Sequence, residues 1–427
     1  MEKRRTARRN KHKCLIAATA LGLGTALAAF QPPQHAGAAP VVLTDQQIAA
    51  LDPVAQAALF APLNKVADAL GGLGRTTWSS SFSTVAVDAN HGQVDLFMAD
   101  PSRASAMIAA AQAKSPGFDS SLIVARPAAA SLAAMHAARD SFLAKAHSYA
   151  VYAVAVAADG SGLQVEVHDP AAVATPPAEA VAGAPAVALE FVRGTARQPK
   201  YTSWDAVKWH DSAPFIGGDY LTTNGLGTGC TAGLPAVRNS DGHAIMITAN
   251  HCFQVGQGIY TGAGPTFQYN NGLTGNTVGT TIANTQTFDA IEIYGADNNA
   301  DESDTGRYLP LTSTDYSYNG QYVCHDGQRS AALGHETPCG IKVTKQDTYF
   351  AVGGYMARGV EGVDVNNWGS VGGDSGATVF ASTGSTRQAR GIVSTGGADN
   401  TADQKRVDWT EATDIFNTFG LRLNPTT

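Results

Sequence analysis

The sequence of 427 residues predicts an α+β N-terminal region followed by an all-β C-terminal region. Two observations support this division. Residues 40 to about 170 are rich in alanine, contain no cysteine and alternate between strand-like and helix-like patterns. From about residue 212, short apolar runs recur between clusters of Gly, Asn, Asp and Thr. That spacing is typical of a β-sandwich or a β-barrel, and both remain open at this point.

The first 38 residues have the pattern of an export signal. A basic stretch, residues 1–13, precedes an apolar stretch, residues 14–30, that is short for a membrane-spanning helix. The small residues Ala36–Ala38 supply a cleavage pattern. The alternative is an N-terminal membrane anchor. We predict a signal peptide over residues 1–38 and a secreted, extracellular protein that has no membrane association once the signal is removed.

Residues 39–199 are predicted to form the α+β region together with a linker. Two stretches alternate apolar and polar residues around turn dipeptides, as hairpins do, and two stretches between them have helical composition and spacing. A Pro/Ala-rich stretch then predicts the linker, and one more strand is expected after it. In chain order these are residues 83–98 (hairpin), 101–114 and 127–147 (helices), 149–169 (hairpin), 171–186 (linker) and 187–194 (strand).

Residues 200–427 are predicted to form the all-β region. Its strand-like runs are short and lie between turn-forming residues. They occupy residues 244–249, 258–262, 277–283, 289–295, 322–327, 340–346, 378–382 and 389–397. One helix-like stretch, residues 411–420, follows them.

The composition indicates a globular protein, with 44% hydrophobic and 15% charged residues. The formal net charge is -7, and from Lys200 onward there are 13 Lys and Arg against 22 Asp and Glu. This acidic balance argues against a nucleic-acid partner.

Five cysteines are present, and Cys14 lies within the predicted signal. The other four form an even number in an exported chain, which predicts two disulfides. Three pairings are possible, and local spacing favours Cys230–Cys252 and Cys324–Cys339. A zinc site is the alternative, but the close paired spacing of such sites is missing. We predict no metal and no cofactor. The acidic stretch of residues 294–304 is expected to be a solvated loop, and a calcium site there is the alternative.

Ser375 lies among four glycines within six residues on either side, in the stretch Gly369 to Gly376. Glycine is favoured where the backbone takes positive φ or approaches another group closely. An isolated Gly-Asp-Ser-Gly is more often a surface loop than a nucleophile. A serine nucleophile needs a base for its proton, a carboxylate that orients the base, and N–H donors for the oxyanion.

Two further residues fit those requirements. His251 ends an apolar strand directly before Cys252, and Asp289 begins another strand. The order His, Asp, Ser is that of chymotrypsin-type enzymes and differs from the orders in subtilisins and α/β-hydrolases. The hydrolase motif G-x-S-x-G is also absent, because Ala377 occupies its last position.

From about residue 212 the chain resembles the chymotrypsin-like serine proteases, most of all the secreted bacterial branch that includes the streptogrisins and α-lytic protease. "TANHC" resembles the T-A-[AG]-H-C motif of that family, and "GGDSGATVF" resembles G-D-S-G-G-P-V. The stretch from Tyr322 to Val343 resembles the loop that a disulfide closes ahead of the serine. "GIVSTGG" resembles the substrate-binding strand that follows it.

The resemblance implies two six-stranded antiparallel β-barrels with the catalytic groups in the cleft between them. It implies that His251 is the general base, that Asp289 orients it and that Ser375 attacks the substrate. Gly373 and Ser375 would donate the oxyanion N–H groups. Further assignments carried over are Ser394 beside Asp289, and Gly369, Ser394 and Gly396 in substrate binding.

The resemblance also implies that residues 39–199 are a pro-region that assists folding and is then removed. The predicted function is a secreted serine endopeptidase that acts on proteins or peptides as a monomer. A catalytically inactive binding protein and an esterase on the same fold are the alternatives.

Three positions depart from the family pattern or leave a question open. Asn250 stands where the family has Ala or Gly, and Gly369 replaces the trypsin-type aspartate, which predicts a preference for uncharged side chains. Asp399, Asp403 or Asp408 could still reach that pocket. The family pairs the aspartate before the serine with an arginine, and here that aspartate, Asp374, has two candidate partners, an imidazolium at His325 or the guanidinium of Arg329.

Overall fold

A computed structural model describes residues 42–173, 178–181, 184–199, 208, 211–223, 229–262, 275–304 and 307–424. The chain divides into two compact units, Met1–Pro40 and Val41–Thr427. The predicted signal peptide and the predicted boundary at residue 200 lie outside the described residues. All of the described residues belong to the second unit.

The N-terminal region combines helices with short strands. Both predicted hairpins and both predicted helices are confirmed. The helices are α1 (Asp45–Ala49), α2 (Pro53–Gly74), α3 (Ala104–Lys114) and α4 (Leu132–Leu143). The strands are β1 (Phe82–Asp88), β2 (Gln93–Met98), β3 (Ile123–Pro127), β4 (Val151–Val156), β5 (Gly162–Val167), β6 (Ala178–Val181), β7 (Ala184–Arg193) and β8 (Gln198–Pro199).

Helix α2 was not predicted from the sequence. It begins at Pro53, directly after Asp52, whose carboxylate accepts hydrogen bonds from the N–H groups of Val54 and Ala55 at 3.0 Å each. This is a normal helix start. The interior Pro62 and the glycines Gly71, Gly72 and Gly74 hide the pattern, because proline and glycine both reduce the helical signal. The helix forms because its apolar face is buried, with Phe60, Leu63, Val66 and Leu70 in the core.

In the described part of the C-terminal region, the regular elements are strands except for two short α-helices and one 3-10 turn. Every predicted strand is found, and the predicted final helix is confirmed. The strands are β9 (Phe215–Gly217), β10 (Tyr220–Leu221), β11 (Cys230–Thr231), β12 (Pro235–Arg238), β13 (Ala244–Ala249), β14 (Gly258–Tyr260), β15 (Thr277–Thr285), β16 (Ala290–Tyr294), β17 (Asn298–Asp304), β18 (Arg307–Thr314), β19 (Tyr322–His325), β20 (Cys339–Val352), β21 (Tyr355–Asp364), β22 (Thr378–Ser382), β23 (Arg387–Gly396), β24 (Arg406–Glu411) and β25 (Leu421–Leu423). The helices are α5 (Gln328–Ala332) and α6 (Ala412–Phe419).

These strands form two main sheets. One sheet has the order β14-β15-β16-β13-β12-β25. The C-terminal part of the other sheet has the order β20-β19-β22-β23-β18-β17-β9. Strand β21 pairs with β20 and β24, and β24 also pairs with β23. This sheet packs around the fully buried Trp409. The structure is thus mostly β with an N-terminal region that contains helices. Closure into two six-stranded barrels stays a prediction.

The second sheet continues into the N-terminal region. Strand β4 pairs antiparallel with β20, with Ala153 opposite Phe350 and Ala155 opposite Thr348. Strand β8 pairs antiparallel with β23. Part of the predicted linker is also strand, because β6 pairs with β7. Continuous pairing satisfies backbone groups that would otherwise be exposed at sheet edges.

Within the part of the chain that the structure describes, no helix is both long and apolar enough to cross a membrane.

Gly320 tests the contact between the two regions. It has φ 84°, and a Cβ atom there would overlap the carbonyl oxygen of Val87 in β1. Gly295 has nearly the same φ, 86°, but no heavy atom lies within 4 Å of a Cβ atom built on it. We expect Gly320→Ala to lower the thermal midpoint of the full-length chain by several degrees more than Gly295→Ala, since only the first adds steric overlap to the backbone strain. Equal shifts in calorimetry would show that the β1 contact contributes nothing.

Candidate active site

The three residues singled out by the sequence converge on one site. Strand β13 ends at Ala249, and the single 3-10 turn Asn250–Cys252 that follows carries His251. Asp289 directly precedes β16, and Ser375 lies in the turn before β22. His251 Nε2 is 2.8 Å from Ser375 Oγ, and His251 Nδ1 is 2.7 Å from Asp289 Oδ2. A hydrogen-bonded chain therefore runs from the hydroxyl through the imidazole to the carboxylate.

The Asp289 carboxylate is completely buried and heavily hydrogen-bonded. Its Oδ1 accepts from the His251 N–H at 3.0 Å and from Tyr355 Oη at 2.6 Å, and its Oδ2 accepts from Ser394 Oγ as well as the imidazole. Burial raises the pKa of Asp289, but the His251 imidazole and the donors from Ser394 and Tyr355 outweigh that effect and leave the pKa below its usual value. The group is therefore an anion at neutral pH.

Tyr355 and Asn250 complete this site, and sequence reasoning assigned neither a role. Asn250 Nδ2 donates to Tyr355 Oη at 3.2 Å, and Asn284 Nδ2 donates to Asn250 Oδ1 at 2.6 Å. The departure from the family pattern at Asn250 is thus explained, because its amide holds the tyrosine that contacts Asp289. Burial raises the pKa of Tyr355 well above its usual value, so its hydroxyl remains a donor. No local signal marks Tyr355, which lies 66 residues beyond Asp289.

Backbone conformation and close contacts explain why glycine occupies positions 373 and 376 around Ser375. Gly373 has φ 111° and Gly376 has φ 90°, both in the left-handed range that side chains avoid. A Cβ atom on Gly376 would also overlap Thr248 Oγ1 and the Thr231 carbonyl. Thr231 in turn fixes the turn, since its Oγ1 donates to the Gly373 carbonyl at 2.8 Å and its N–H donates to the Ser375 carbonyl at 2.8 Å.

The partners of Asp374 differ from both candidates. Oδ1 accepts from the main-chain N–H groups of Arg329 at 3.1 Å and Ser330 at 2.9 Å, and Oδ2 accepts from Ser330 Oγ at 2.6 Å and the Val371 N–H at 2.9 Å. The start of α5 thus satisfies this buried carboxylate.

The imidazolium hypothesis for His325 is wrong in this geometry. Its Nδ1 accepts a hydrogen bond from the Gly327 N–H at 3.1 Å, which requires an unprotonated nitrogen. Its Nε2 lies 2.7 Å from the Gly369 carbonyl and therefore carries the proton. The ring is a neutral spacer between two backbone segments.

Both predicted disulfides are present. Cys230 is bonded to Cys252 and Cys324 to Cys339. The first bond ties β11 to the residue directly after His251. The second closes the loop that contains α5, which provides the donors to Asp374.

The predicted substrate-binding residues lie on β23 and in the loop that precedes Ser375. Ser394 and Gly396 lie on β23, and Ser375 Oγ is 3.4 Å from the Ser394 carbonyl. Gly396 is the partner of Gln198 in the β8–β23 pair. Gly369 packs against the backbone of Lys405, where a Cβ atom would overlap the carbonyl. Glycine is therefore required at 369 by close backbone approach.

The three aspartates proposed to reach the pocket have separate contacts. Asp399 Oδ2 accepts from the Gly372 N–H at 3.0 Å, next to the glycine-rich turn. Asp403 pairs with Arg406 at 2.6 Å, and Asp408 accepts from Thr395 Oγ1 at 2.9 Å. Among the three, Asp399 is the one that forms a hydrogen bond with the glycine-rich turn that carries Ser375.

The described residues contain no group of three or more His, Cys, Asp or Glu side chains placed to hold a metal ion.

Comparison with known proteins finds similarity among solved structures, while no family model and no curated protein matches the chain. The chain is similar to Nocardiopsis protease (20% identity, TM-score 0.38), over 49% of this chain and 98% of that one. It is similar to Cellulomonas bogoriensis chymotrypsin, with 21% identity and a TM-score of 0.38 over 49% of this chain and 98% of that one. It is also similar to Thermobifida fusca protease A, with 18% identity and a TM-score of 0.39 over 50% of this chain and 98% of that one. These structural neighbours are bacterial chymotrypsin-like serine proteases of the α-lytic type.

The Tyr355 contact predicts a change in acid stability. A carboxylate whose pKa is lowered in the folded state stabilises the fold at pH values above its unfolded pKa of about 3.9. That stabilisation is lost as the pH falls through the pKa of the folded state. Tyr355→Phe removes one donor, so the Asp289 pKa rises and the acid-unfolding midpoint moves to higher pH. We also expect a loss of about 1 to 2 kcal/mol at pH 7. Near-ultraviolet circular dichroism from pH 7 to 2 measures the midpoint, and urea unfolding at pH 7 measures the loss of stability.

Tyr308→Phe is the matched control, because Tyr308 is 69% exposed. If the two variants unfold at the same pH, the Tyr355 hydroxyl does not stabilise the Asp289 anion.

Proposed function

We propose that the protein is a secreted serine endopeptidase that is synthesised as a pre-pro-enzyme and hydrolyses peptide bonds through an acyl-enzyme. The observation that carries this proposal is the hydrogen-bonded chain from Ser375 through His251 to Asp289. A serine, an imidazole and a buried carboxylate in this order are the groups that acyl transfer requires.

The chemistry follows from the contacts of His251. Its Nε2 takes the Ser375 proton as Oγ bonds to the substrate carbonyl carbon, and the carbonyl oxygen becomes an oxyanion. The imidazolium then protonates the leaving amine, the C–N bond breaks and an ester to Ser375 remains. A water molecule, deprotonated by the same imidazole, hydrolyses that ester and restores the hydroxyl.

Asp289 is proposed to orient His251 and to stabilise its imidazolium. Its Oδ2 lies against Nδ1, which places the ring proton on that nitrogen and leaves Nε2 free to accept from Ser375. The contacts from Ser394 and Tyr355 hold the carboxylate in place. The N–H groups of Gly373 and Ser375 are proposed to stabilise the oxyanion, in a turn whose φ angles demand glycine.

The precursor proposal is supported by burial of the site in the full chain. Ser375 is 0% exposed and the His251 side chain is 6% exposed. Strand β8 lies along β23, the strand that carries Ser394, and so lies where a substrate would pair. We propose residues 1–38 as the signal, 39–199 as the pro-region with its linker, and 200–427 as the protease domain with two six-stranded barrels.

The mature enzyme is proposed to be an extracellular monomer that needs no cofactor. Its preference for uncharged side chains at the primary pocket rests on Gly369, which offers no carboxylate there. Of Asp399, Asp403 and Asp408, Asp399 is the one whose carboxylate accepts a hydrogen bond from the glycine-rich turn before Ser375, at the Gly372 N–H.

Ser375→Ala tests the nucleophile. We expect casein hydrolysis to fall by about 10⁴-fold or more, because the attacking oxygen is lost while the fold is retained. Labelling by a fluorophosphonate probe should disappear as well. Ser385→Ala, at an exposed loop position, is the control and should keep both activities.

Two results would contradict the proposal in different ways. Labelled wild-type protein that hydrolyses p-nitrophenyl esters but neither casein nor peptides would identify an esterase. Unlabelled and inactive wild-type protein would identify a binding protein.

Arg139 tests the pro-region as a folding aid. Its guanidinium is 4% exposed, and Nη1 pairs with Asp347 of β20 at 3.1 Å across the contact between the two regions. Residues 200–427 refolded alone should show little activity, because all-β domains with non-local pairing fold slowly. Adding residues 39–199 should restore it. The fragment with Arg139→Met should restore at least about tenfold less, since the substitution removes the most deeply buried of the three cations that contact Asp347 and leaves only His136 and Arg358.

Arg126→Met in the same fragment is the control, because Arg126 pairs with Asp95 at the surface with 43% of its side chain exposed. Efficient refolding of residues 200–427 without any added fragment would count against the folding role.

A further inference from the structure

We propose that Glu361 and Asp408 form an acidic subsite of the protease that binds an arginine side chain of the substrate, at the fourth residue before the cleaved bond. In the full chain Arg197 occupies this subsite. The inference rests on the proposed endopeptidase function and adds a specificity determinant to it.

The position of the subsite follows from the β8–β23 register. Pro199 is the partner of Thr395 and Gln198 is the partner of Gly396, in antiparallel orientation. A substrate in the same register would next place a residue opposite Ser394, whose carbonyl contacts Ser375 Oγ. The cleaved bond follows that residue. The residue opposite Ser394 is then the first before the cleaved bond, and the residues in the places of Pro199 and Gln198 are the second and third. The residue in the place of Arg197 is the fourth.

The side chain of Arg197 is fully buried among carboxylates, with 0% exposure. Nη2 lies 2.6 Å from Glu361 Oε2, and Nε lies 3.5 Å from Asp408 Oδ2. Nη1 pairs with Glu166 of the N-terminal region. Each of the three nitrogen atoms of the planar guanidinium thus faces a different carboxylate. A lysine ammonium, with a single nitrogen atom, cannot reproduce this geometry.

Two of these carboxylates belong to the proposed protease domain and face each other. Glu361 on β21 and Asp408 on β24 are directly opposed in the antiparallel register, and their side chains are 5% and 0% exposed. Like charges at opposed positions repel, and burial increases the effect. Lys345 Nζ lies 3.0 Å from Glu361 Oε1 and offsets one charge.

One negative charge is left without compensation when Arg197 and Glu166 are both removed. Asp408 Oδ1 also has no hydrogen-bond donor among the described residues. A substrate arginine would supply the missing cation. A neutral side chain would leave two buried carboxylates with one cation between them, which is unfavourable.

The test compares tetrapeptide fluorogenic amides that differ only in the first residue, which is Arg, Lys, citrulline or Leu. The second and third residues are Gln and Pro, as in β8, and the fourth is the residue that wild-type protein cleaves best. The full chain is expressed, and the enzyme is assayed in the form in which it is secreted, after the proposed removal of residues 39–199 has vacated the subsite. Citrulline has the shape of arginine without its charge. We expect kcat/KM for the Arg peptide to exceed that for citrulline by about 10- to 100-fold, with Lys between them.

Variants assign the preference to the subsite. Glu361→Gln and Asp408→Asn should each reduce the Arg-to-citrulline ratio toward one, because each variant removes one of the two charges that face the substrate cation. Asp241→Asn is the control, because this carboxylate pairs with Arg238 at the surface, at 3.2 Å and with 36% of its side chain exposed. It should keep the wild-type ratio.

Equal kcat/KM for the Arg and citrulline peptides on wild-type protein would overturn the subsite alone, and this comparison decides even if a variant fails to fold. A ratio retained in both variants, or an equal loss for both peptides, would also overturn it. Hydrolysis of none of the peptides would instead overturn the proposed function, and the subsite with it.

Discussion

The buried carboxylate of Asp289 is the constraint on which the site depends. A carboxylate removed from water is strongly unfavourable unless charges and donors replace the lost hydration. Here the donors come from the turn after β13, from Ser394 on β23 and from Tyr355 on β21. Each of these elements must therefore be in place before the anion is stable, so the geometry around His251 reports on the assembly of both sheets.

Asp374 solves the same problem with a different set of donors. Main-chain N–H groups at the start of α5 and a hydroxyl from Ser330 satisfy its two oxygens. The disulfide Cys324–Cys339 closes the loop that presents these donors. Because Asp374 directly precedes Ser375, these contacts hold the backbone of the turn that carries the serine, and the hydroxyl itself contacts His251 Nε2 and the Ser394 carbonyl. One buried carboxylate, Asp289, thus holds His251, and the other, Asp374, holds the turn that carries Ser375.

Buried charge also marks the contact between the N-terminal and C-terminal regions. Asp347 on β20 is paired with Arg139 and with His136 of α4, and Arg197 bridges Glu166 to Glu361. Such pairs stabilise the full chain only while both partners are present. Removing one region would leave the other with buried charge exposed or unpaired. A contact of this kind suits a segment that is needed at one stage and then released.

Local patterns in the sequence determined the two hairpins, the helices α3, α4 and α6, and the strands β7, β13, β14, β15, β16, β19, β20, β22 and β23, because alternation, helical spacing and turn residues act over a few neighbours. They did not indicate other strands, such as β12, β18, β21 and β24. They also singled out His251, Asp289, Ser375 and both disulfides. Only the tertiary structure decided that Tyr355 and Asn250 support Asp289, that α5 rather than His325 serves Asp374, and that Arg197 lies between Glu361 and Asp408. These contacts join residues far apart in the chain, and each side chain is ordinary in its local context. The need to compensate a buried charge arises only when folding removes it from water, so the sequence around that charge carries no record of its partner.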